Sequence, residues 1–338
     1  MKLFNRELSK EEVYKRVGDL SQIGGIRSFT LNSGKAKGVE AWEINTGSGL
    51  RFTVLKDRCL DIGWADYCGT PLAFMSKAGV SSSLYFEHQG EELHRVFAPG
   101  LLTTCGLRNV GVFCRVEGEN FGQHGRISNA PAEEAYACGF WEGDEYVLRV
   151  GGIMRESVLY GENLYLKRQI ETALGKTSFH LTDTIINRSF RKEQIAIVYH
   201  INFGYPLIDA EAKICLPPGE ITNQNGIRWP DGTDIVGLPQ DNAVKKPGYR
   251  IRFDDNYIHA VLKNDKLSGF KGIYVTYDKK ALPCFALWRS FSSGDYVVGF
   301  EPGTAFPMGR EKLLQEELML NLEPQQEYKI ELEIGIEF

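Results

Sequence analysis

The residues in this sequence best suited to proton-transfer chemistry are His200, His124 and Glu301. His200 lies inside AIVYHINFGYPL (residues 196–207), a run that otherwise reads as a buried β-strand. Period two places Ile195, Ile197, Tyr199, Ile201 and Phe203 on one side and Ala196, Val198, His200, Asn202 and Gly204 on the other. A polar ring buried among small side chains needs a hydrogen-bond partner, from protein, water or ligand, or it costs about 1–3 kcal/mol. In YVVGFEPGTAFPMGR, Tyr296, Val298 and Phe300 alternate with Val297, Gly299 and Glu301, so the acid shares a face with a glycine, and Pro302 is expected to end the pairing. His124, in FGQHGRIS between Gly122 and Gly125, belongs to a bend. A histidine with an ordinary pKa near 6.5 and a glutamate near 4.3 form an acid and base couple around neutral pH. The residue types alone also allow His200 as a core histidine bonded to a neighbouring strand, and Glu301 in a salt bridge to an arginine.

Other chemistries find little support. The chain has no G-x-x-x-x-G-K-[ST], no G-x-G-x-x-G after a strand and no G-x-S-x-G elbow. It also lacks H-E-x-x-H and any clustered His/Cys set with zinc spacing, so neither metal nor cofactor is expected. Lys+Arg total 39 against 44 Asp+Glu, a net charge of −5, with no basic stripe or tail, which argues against nucleic acid as a partner. No window approaches a membrane span, and MKLFNRELSKEEVYKR lacks the apolar core of a signal peptide, so no membrane partner and a cytoplasmic location are expected. Seven cysteines without a C-x-x-C pair read as reduced core thiols, and NRS at Asn187 as an unused sequon.

The elements that must position these residues are mostly strands. Nine β-rich runs lie between Gly, Asn, Asp and Pro turns: GVEAWEI, RFTVL, EYVLRVGGIM, LYLKRQIET, SFHLTDTIIN, IAIVYHINF, GIYVTY, YVVGF and EYKIELEIGIEF. One helix signal stands out, in LSKEEVYKRVGDLSQIGG: Ser9 and Glu12 fit a capping box, Val13, Val17 and Leu20 share a face, and Gly24 and Gly25 follow as breakers. The pattern predicts an all-β protein, residues 1–338 as one domain with a short peripheral helical segment within residues 1–25. The loop-rich stretch 217–248 is read as an excursion inside one large sandwich.

HGRIS, YHINFGYPL and GFEPGTAFP, in this order and spacing, resemble three signature segments of the aldose 1-epimerase (galactose mutarotase) superfamily. DRCLDIGWADYCGTPLAF and GLLTTCGLRNVG are similar to a divergent branch of it, and the likeness runs over about residues 52–307. The resemblance implies a β-supersandwich with a sugar in an open cleft, and anomer exchange of an aldose without metal or cofactor. It implies that His200 protonates the ring oxygen, Glu301 takes the anomeric hydroxyl proton and His124 helps hold the ring oxygen. For substrate binding it points to Arg108; Arg126, Arg58, Asp61, Asn202 and Trp288 are further candidates. Galactose enzymes of the superfamily usually carry Asn-Arg before the first histidine and a separate aspartate for sugar hydroxyls; here GLRNVG reverses the order and the aspartate has no evident counterpart.

Two questions stay open at this level. The same cleft could belong to a non-catalytic carbohydrate-binding or regulatory protein, or to another sugar-ring isomerase or a lactonase. Three arginines near the motifs, Arg58, Arg108 and Arg126, would suit a substrate bearing carboxylate, sulfonate or phosphate. If Arg58 instead pairs with Asp61 and Arg126 faces solvent, Arg108 alone remains, which suits a neutral sugar. Oligomeric state is not legible.

Overall fold

The computed structural model describes residues 1–223, 233–241 and 248–338. All nine β-rich runs form strands, which assemble into two large antiparallel sheets. Among the described residues, one sheet has nine strands in the order Glu133–Glu142, Glu145–Ser157, Asn163–Ala173, Ser178–Asn187, Glu327–Glu337, Gly272–Asp278, Tyr257–Lys263, Lys213–Cys215 and Thr233–Ile235. The other runs Gly219–Asn223, Tyr249–Phe253, Cys284–Ser292, Asp295–Gly303, Glu193–Phe203, Leu102–Leu107, Asp61–Tyr67, Leu50–Leu55, Glu40–Asn45 and Gly25–Thr30, with Leu320–Leu322 and Thr70–Pro71 attached at its flanks. This is the expected all-β sandwich with a short N-terminal helix.

Strand alternation decides which side chains enter the core. Ile195, Ile197, Tyr199, Ile201 and Phe203 join one apolar cluster between the sheets, with Leu164, Leu166, Ile170, Phe179, Leu181 and Ile185 from the facing sheet. Ala196 and Val198, on the opposite face, join a second cluster with Cys105, Val110, Cys284, Ala305, Phe306, Met308 and Leu313. The chain beyond residue 303 therefore folds back over part of the outer face of the larger sheet.

One ionic group breaks the apolar interior. Arg168, fully buried, binds Asp183 through Nε (2.9 Å) and Nη2 (2.6 Å) and Asp61 through Nη1 (2.8 Å). Tyr199 donates to Asp183 (2.7 Å), and Thr104 donates to Asp61 through its hydroxyl (2.6 Å) and its N–H (3.0 Å). Every buried carboxylate there is met by donors, the condition under which buried charge is tolerated. Burial, partly offset by Arg168 and Thr104, raises Asp61 to about 6. Because Tyr199 and Thr104 adjoin His200 and Thr103, the group ties both strands to the facing sheet from behind.

Several expectations change. The helix is only Lys10–Tyr14, with the Ser9/Glu12 capping box present; of its residues Val13 alone is buried, and a five-residue helix has too few hydrogen bonds to extend without packing. It is held by Tyr14 on Trp141 (centroids 5.7 Å) and by Lys10 N–H on Asp144 (2.8 Å). Pro302 does not end its strand: it pairs with Phe285, while the ladder to Glu193–Phe203 is interrupted opposite it, where proline offers no N–H. Of the cysteines, Cys59, Cys105, Cys114 and Cys284 are buried, but Cys68 and Cys138 are exposed and Cys215 intermediate, because they fall on a turn and on outward-facing or edge positions. Within 217–248, Gly219–Asn223 and Thr233–Ile235 belong to the two sheets; residues 224–232 and 242–247 lie outside the described residues. Among the described residues no helix is long and apolar enough to cross a membrane.

Candidate active site

His200 and Glu301 come from neighbouring strands. The pairs Val198↔Gly303 and Ile201↔Phe300 hold Glu193–Phe203 and Asp295–Gly303 in a single register, which sets His200 opposite Glu301. On the outer sides, His200 pairs with Thr103 and Glu301 with Ala286. Directly paired residues of an antiparallel sheet project to the same face, so Thr103, His200, Glu301 and Ala286 form one row. His200 Nε2 stands 3.2 Å from Glu301 Oε1, and both side chains are about 95% buried, with 6% and 5% exposure.

Burial sets the charge of this pair. Glu301 has lost its water and rises to about 8. Burial, outweighing the Asn202 side chain, lowers His200 to about 4. Both shifts oppose charge, so around neutral pH the pair holds one proton in total.

Three rings surround His200 edge-on: Trp288 (5.2 Å between centroids), Phe97 (5.7 Å) and His124 (5.8 Å). Trp288 is half-buried and lies outside both apolar clusters, consistent with an accessible ring rather than plain core. Gly299 makes the arrangement possible: a Cβ there would stand 3.1 Å from Trp288 Cε3 and 3.2 Å from His200 Cε1. His124 arrives on a turn with φ +57°; its N–H donates to Gly111 O (2.8 Å), and its carbonyl accepts from Gly106 N–H (3.0 Å). The next residue must be glycine, since Gly125 has φ +74° and a Cβ would sit 2.2 Å from Gly106 O. Burial and the His200 ring push His124 down from the usual imidazole range, which keeps it neutral; its Nδ1 accepts from Gly111 N–H (3.4 Å), leaving Nε2 as the proton-bearing nitrogen.

The remaining sequence candidates divide. Asn202 lies on the same face but is fully buried, its amide donating to His200 O (2.7 Å), so it braces the strand. Arg108 is held by Glu119 (2.5 and 3.0 Å) and Glu162 (3.1 Å) and stacks on Phe121, which leaves its fork occupied by carboxylates. Arg126 is exposed beside a separate cavity of about 380 Å³ that Asn129, Glu156 and Glu162 also line. Arg58 does not pair with Asp61: its guanidinium is bound by Ser128 O, Ser81 O and Oγ, and Val96 O, while Asp61 turns into the sandwich to meet Arg168. The three arginines are thus not gathered around the pair. Sequence reasoning passed over Phe97, which comes from a loop, and Arg168 and Asp183. These two left a signal, each standing in phase with buried apolar residues of its strand. A groove of about 630 Å³ on the nine-stranded sheet, lined by His180, Thr182, Thr276 and Glu333, contains neither member of the pair. Among the described residues, no group of three or more His, Cys, Asp or Glu is placed to hold a metal ion.

Residues 36–336 match the family model described as a domain of unknown function, DUF4432. The chain belongs to that family. No curated protein matches it. Among solved structures, this DUF4432 member is similar to a provisionally assigned aldose 1-epimerase from Klebsiella pneumoniae subsp. pneumoniae MGH 78578, at TM-score 0.82 and 21% identity, covering 92% of this chain and 83% of that one. It is also similar to a galactose mutarotase-like protein from Clostridium acetobutylicum (TM-score 0.61, 11% identity, 94% and 99% covered). A third likeness is to galactose 1-epimerase from Lactobacillus acidophilus NCFM (TM-score 0.59, 12% identity, 93% and 100% covered). At these identities the likeness establishes the fold, which this DUF4432 member shares with the galactose mutarotase-like proteins.

Proposed function

We propose that this chain is an aldose 1-epimerase, interconverting the anomers of an aldose or aldose derivative by ring opening at His200 and Glu301. The observation that carries the reading is the 3.2 Å contact between two buried, oppositely shifted acid–base groups on one sheet face. In opening, Glu301 carboxylate takes the O1 proton, C1=O1 forms, the C1–O5 bond breaks and its electron pair takes a proton from His200 imidazolium. The enzyme is left with neutral Glu301 and neutral His200. Rotation about C1–C2 and the reverse transfers close the other anomer. One proton is delivered and one removed, so the pair's inventory never changes. Its neutral tautomer serves closure, and the charged tautomer, one proton transfer away, serves opening. Paired assistance avoids accumulating alkoxide charge, and each group contributes typically about 10²–10⁴-fold.

His124 supports the reading as a neutral donor beside His200, and Trp288 as an apolar surface for a sugar face. Exchange spectroscopy by NMR on a panel of reducing sugars tests it. Cross-peaks between anomeric protons that grow with protein above the buffer rate are expected for at least one sugar. Line broadening on binding without added exchange for any sugar would contradict catalysis and favour a binding protein.

A further inference from the structure

Beyond Ala286, the row through His200 and Glu301 continues to Arg250, which pairs with Ala286 on the Tyr249–Phe253 strand. Ile251 and Phe253 enter the core of the sandwich, so Arg250 and Arg252 alternate onto the face that carries Glu301. Strands lie about 4.8 Å apart, so two steps place the Arg250 backbone about 10 Å from that of Glu301. Both guanidinium groups rest on the ring of Phe306, at 5.7 and 5.6 Å from its centroid. Phe306 is buried and belongs to the segment that leaves the Glu301 strand, so a single stretch of chain supplies both the base and the platform under the two arginines.

What the two arginines lack is an anion. Among the described residues neither has a carboxylate within ion-pairing distance; Glu220, opposite Arg252 in the ladder, does not reach it. Arg108, Arg155 and Arg168, by contrast, all carry carboxylate partners. A planar fork held on an aromatic face is preorganised for an oxyanion and loses little side-chain freedom on binding one.

We propose that Arg250 and Arg252 form an anion subsite on the same sheet face as His200 and Glu301, so that the substrate is an aldose bearing a carboxylate, sulfonate or phosphate remote from its anomeric carbon. The proposal rests on the ring-opening reading for the word substrate, but the subsite itself is a statement about binding. A sugar with its anomeric centre over His200 and Glu301 and its far end toward Arg250 spans the row. This moves the positive charge of the site from Arg58, Arg108 and Arg126 to two residues that no motif marks.

The test measures binding and turnover separately. Calorimetry on the wild-type protein compares D-glucose with D-glucuronate, D-glucose 6-phosphate and a 6-sulfonated glucose, at low salt and at about 0.5 M salt, and exchange NMR follows the same sugars. At least one anionic sugar is expected to bind ten-fold or more tightly than glucose, and that preference to shrink at high salt, where the Debye length falls below about 5 Å. The arm that binds best identifies the anionic group. In the Arg250→Gln/Arg252→Gln protein the anionic-to-neutral preference is expected to fall to near one, and Arg250→Lys/Arg252→Lys to restore part of it. An anionic preference without added anomer exchange would reject the ring-opening function and leave the subsite standing. Equal binding of neutral and anionic sugars, no binding of any anionic sugar, or a preference unchanged by the Gln substitutions would overturn the subsite.

Discussion

The position a Cβ would take on Gly299 lies 3.2 Å from His200 Cε1 and 3.1 Å from Trp288 Cε3, so the absence of a side chain at Gly299 leaves room for the imidazole and the indole beside each other. Gly299→Ala should displace one of the two rings by a few tenths of an ångström. Overpacking of this kind costs about 1–3 kcal/mol. The expected outcome is a folded protein with moderately lower stability and anomer-exchange activity reduced roughly ten-fold or more. Denaturant unfolding and exchange NMR on one preparation check it; wild-type activity in Gly299→Ala would show that the ring position is not critical.

The charge state of Glu301 can be read from stability. Its folded value of about 8 is above the ordinary 4.5. Between these limits the unfolded chain has released the proton and the native state keeps it, so the contribution is fully present below about pH 4.5 and lost as pH rises toward 8. Glu301→Gln removes that titration. Its Tm relative to wild type should therefore climb across this interval and level off above it. A Tm difference constant across the interval would mean Glu301 is ionised in the native state.

Activity should follow the proton count of the pair. With limits of about 4 and about 8, kcat/KM is expected to form a plateau between them and to fall on both sides, the inflections belonging to the pair and not to either residue. His200→Asn should abolish the bell. A profile flat from pH 3 to 10 on a turned-over sugar would exclude this pair as the acid and base.

The strand faces were legible because alternation is local: the apolar phase of 195–203 and the small, polar phase carrying His200 both appear in the structure as written in the sequence. His200 and Glu301, which the structure sets side by side, stood out in the sequence because each broke the pattern of its own strand. Arg108, by contrast, is neutralised by Glu119 and Glu162, and the donors of Arg58 are taken up by carbonyls of residues 81, 96 and 128, partners that only the folded chain brings near. Arg250 and Arg252 gain their place from register alone, two strands from Glu301, and no local pattern marks it.

Arg168 provides a stability prediction for the support behind the site. Arg168→Met would leave Asp61 and Asp183 buried without their cation, a loss of about 3–5 kcal/mol. Tyr199→Phe removes one donor to Asp183 and should cost about 1–3 kcal/mol. Chemical denaturation should rank wild type above Tyr199→Phe and Tyr199→Phe above Arg168→Met. An Arg168→Met protein as stable as wild type would show that the ion pairs do not hold the two sheets together at this point.

The central claim is that His200 and Glu301 act as one proton-transferring unit, and its most direct test is the rate of anomer exchange on a turned-over sugar in wild type, His200→Asn, Glu301→Gln and the double variant. Each single substitution is expected to lower kcat by roughly 10²–10⁴-fold, with the double variant little worse than either, because removing one member already stops the coupled transfer. Near-wild-type turnover in either single variant, or losses that multiply in the double, would contradict it.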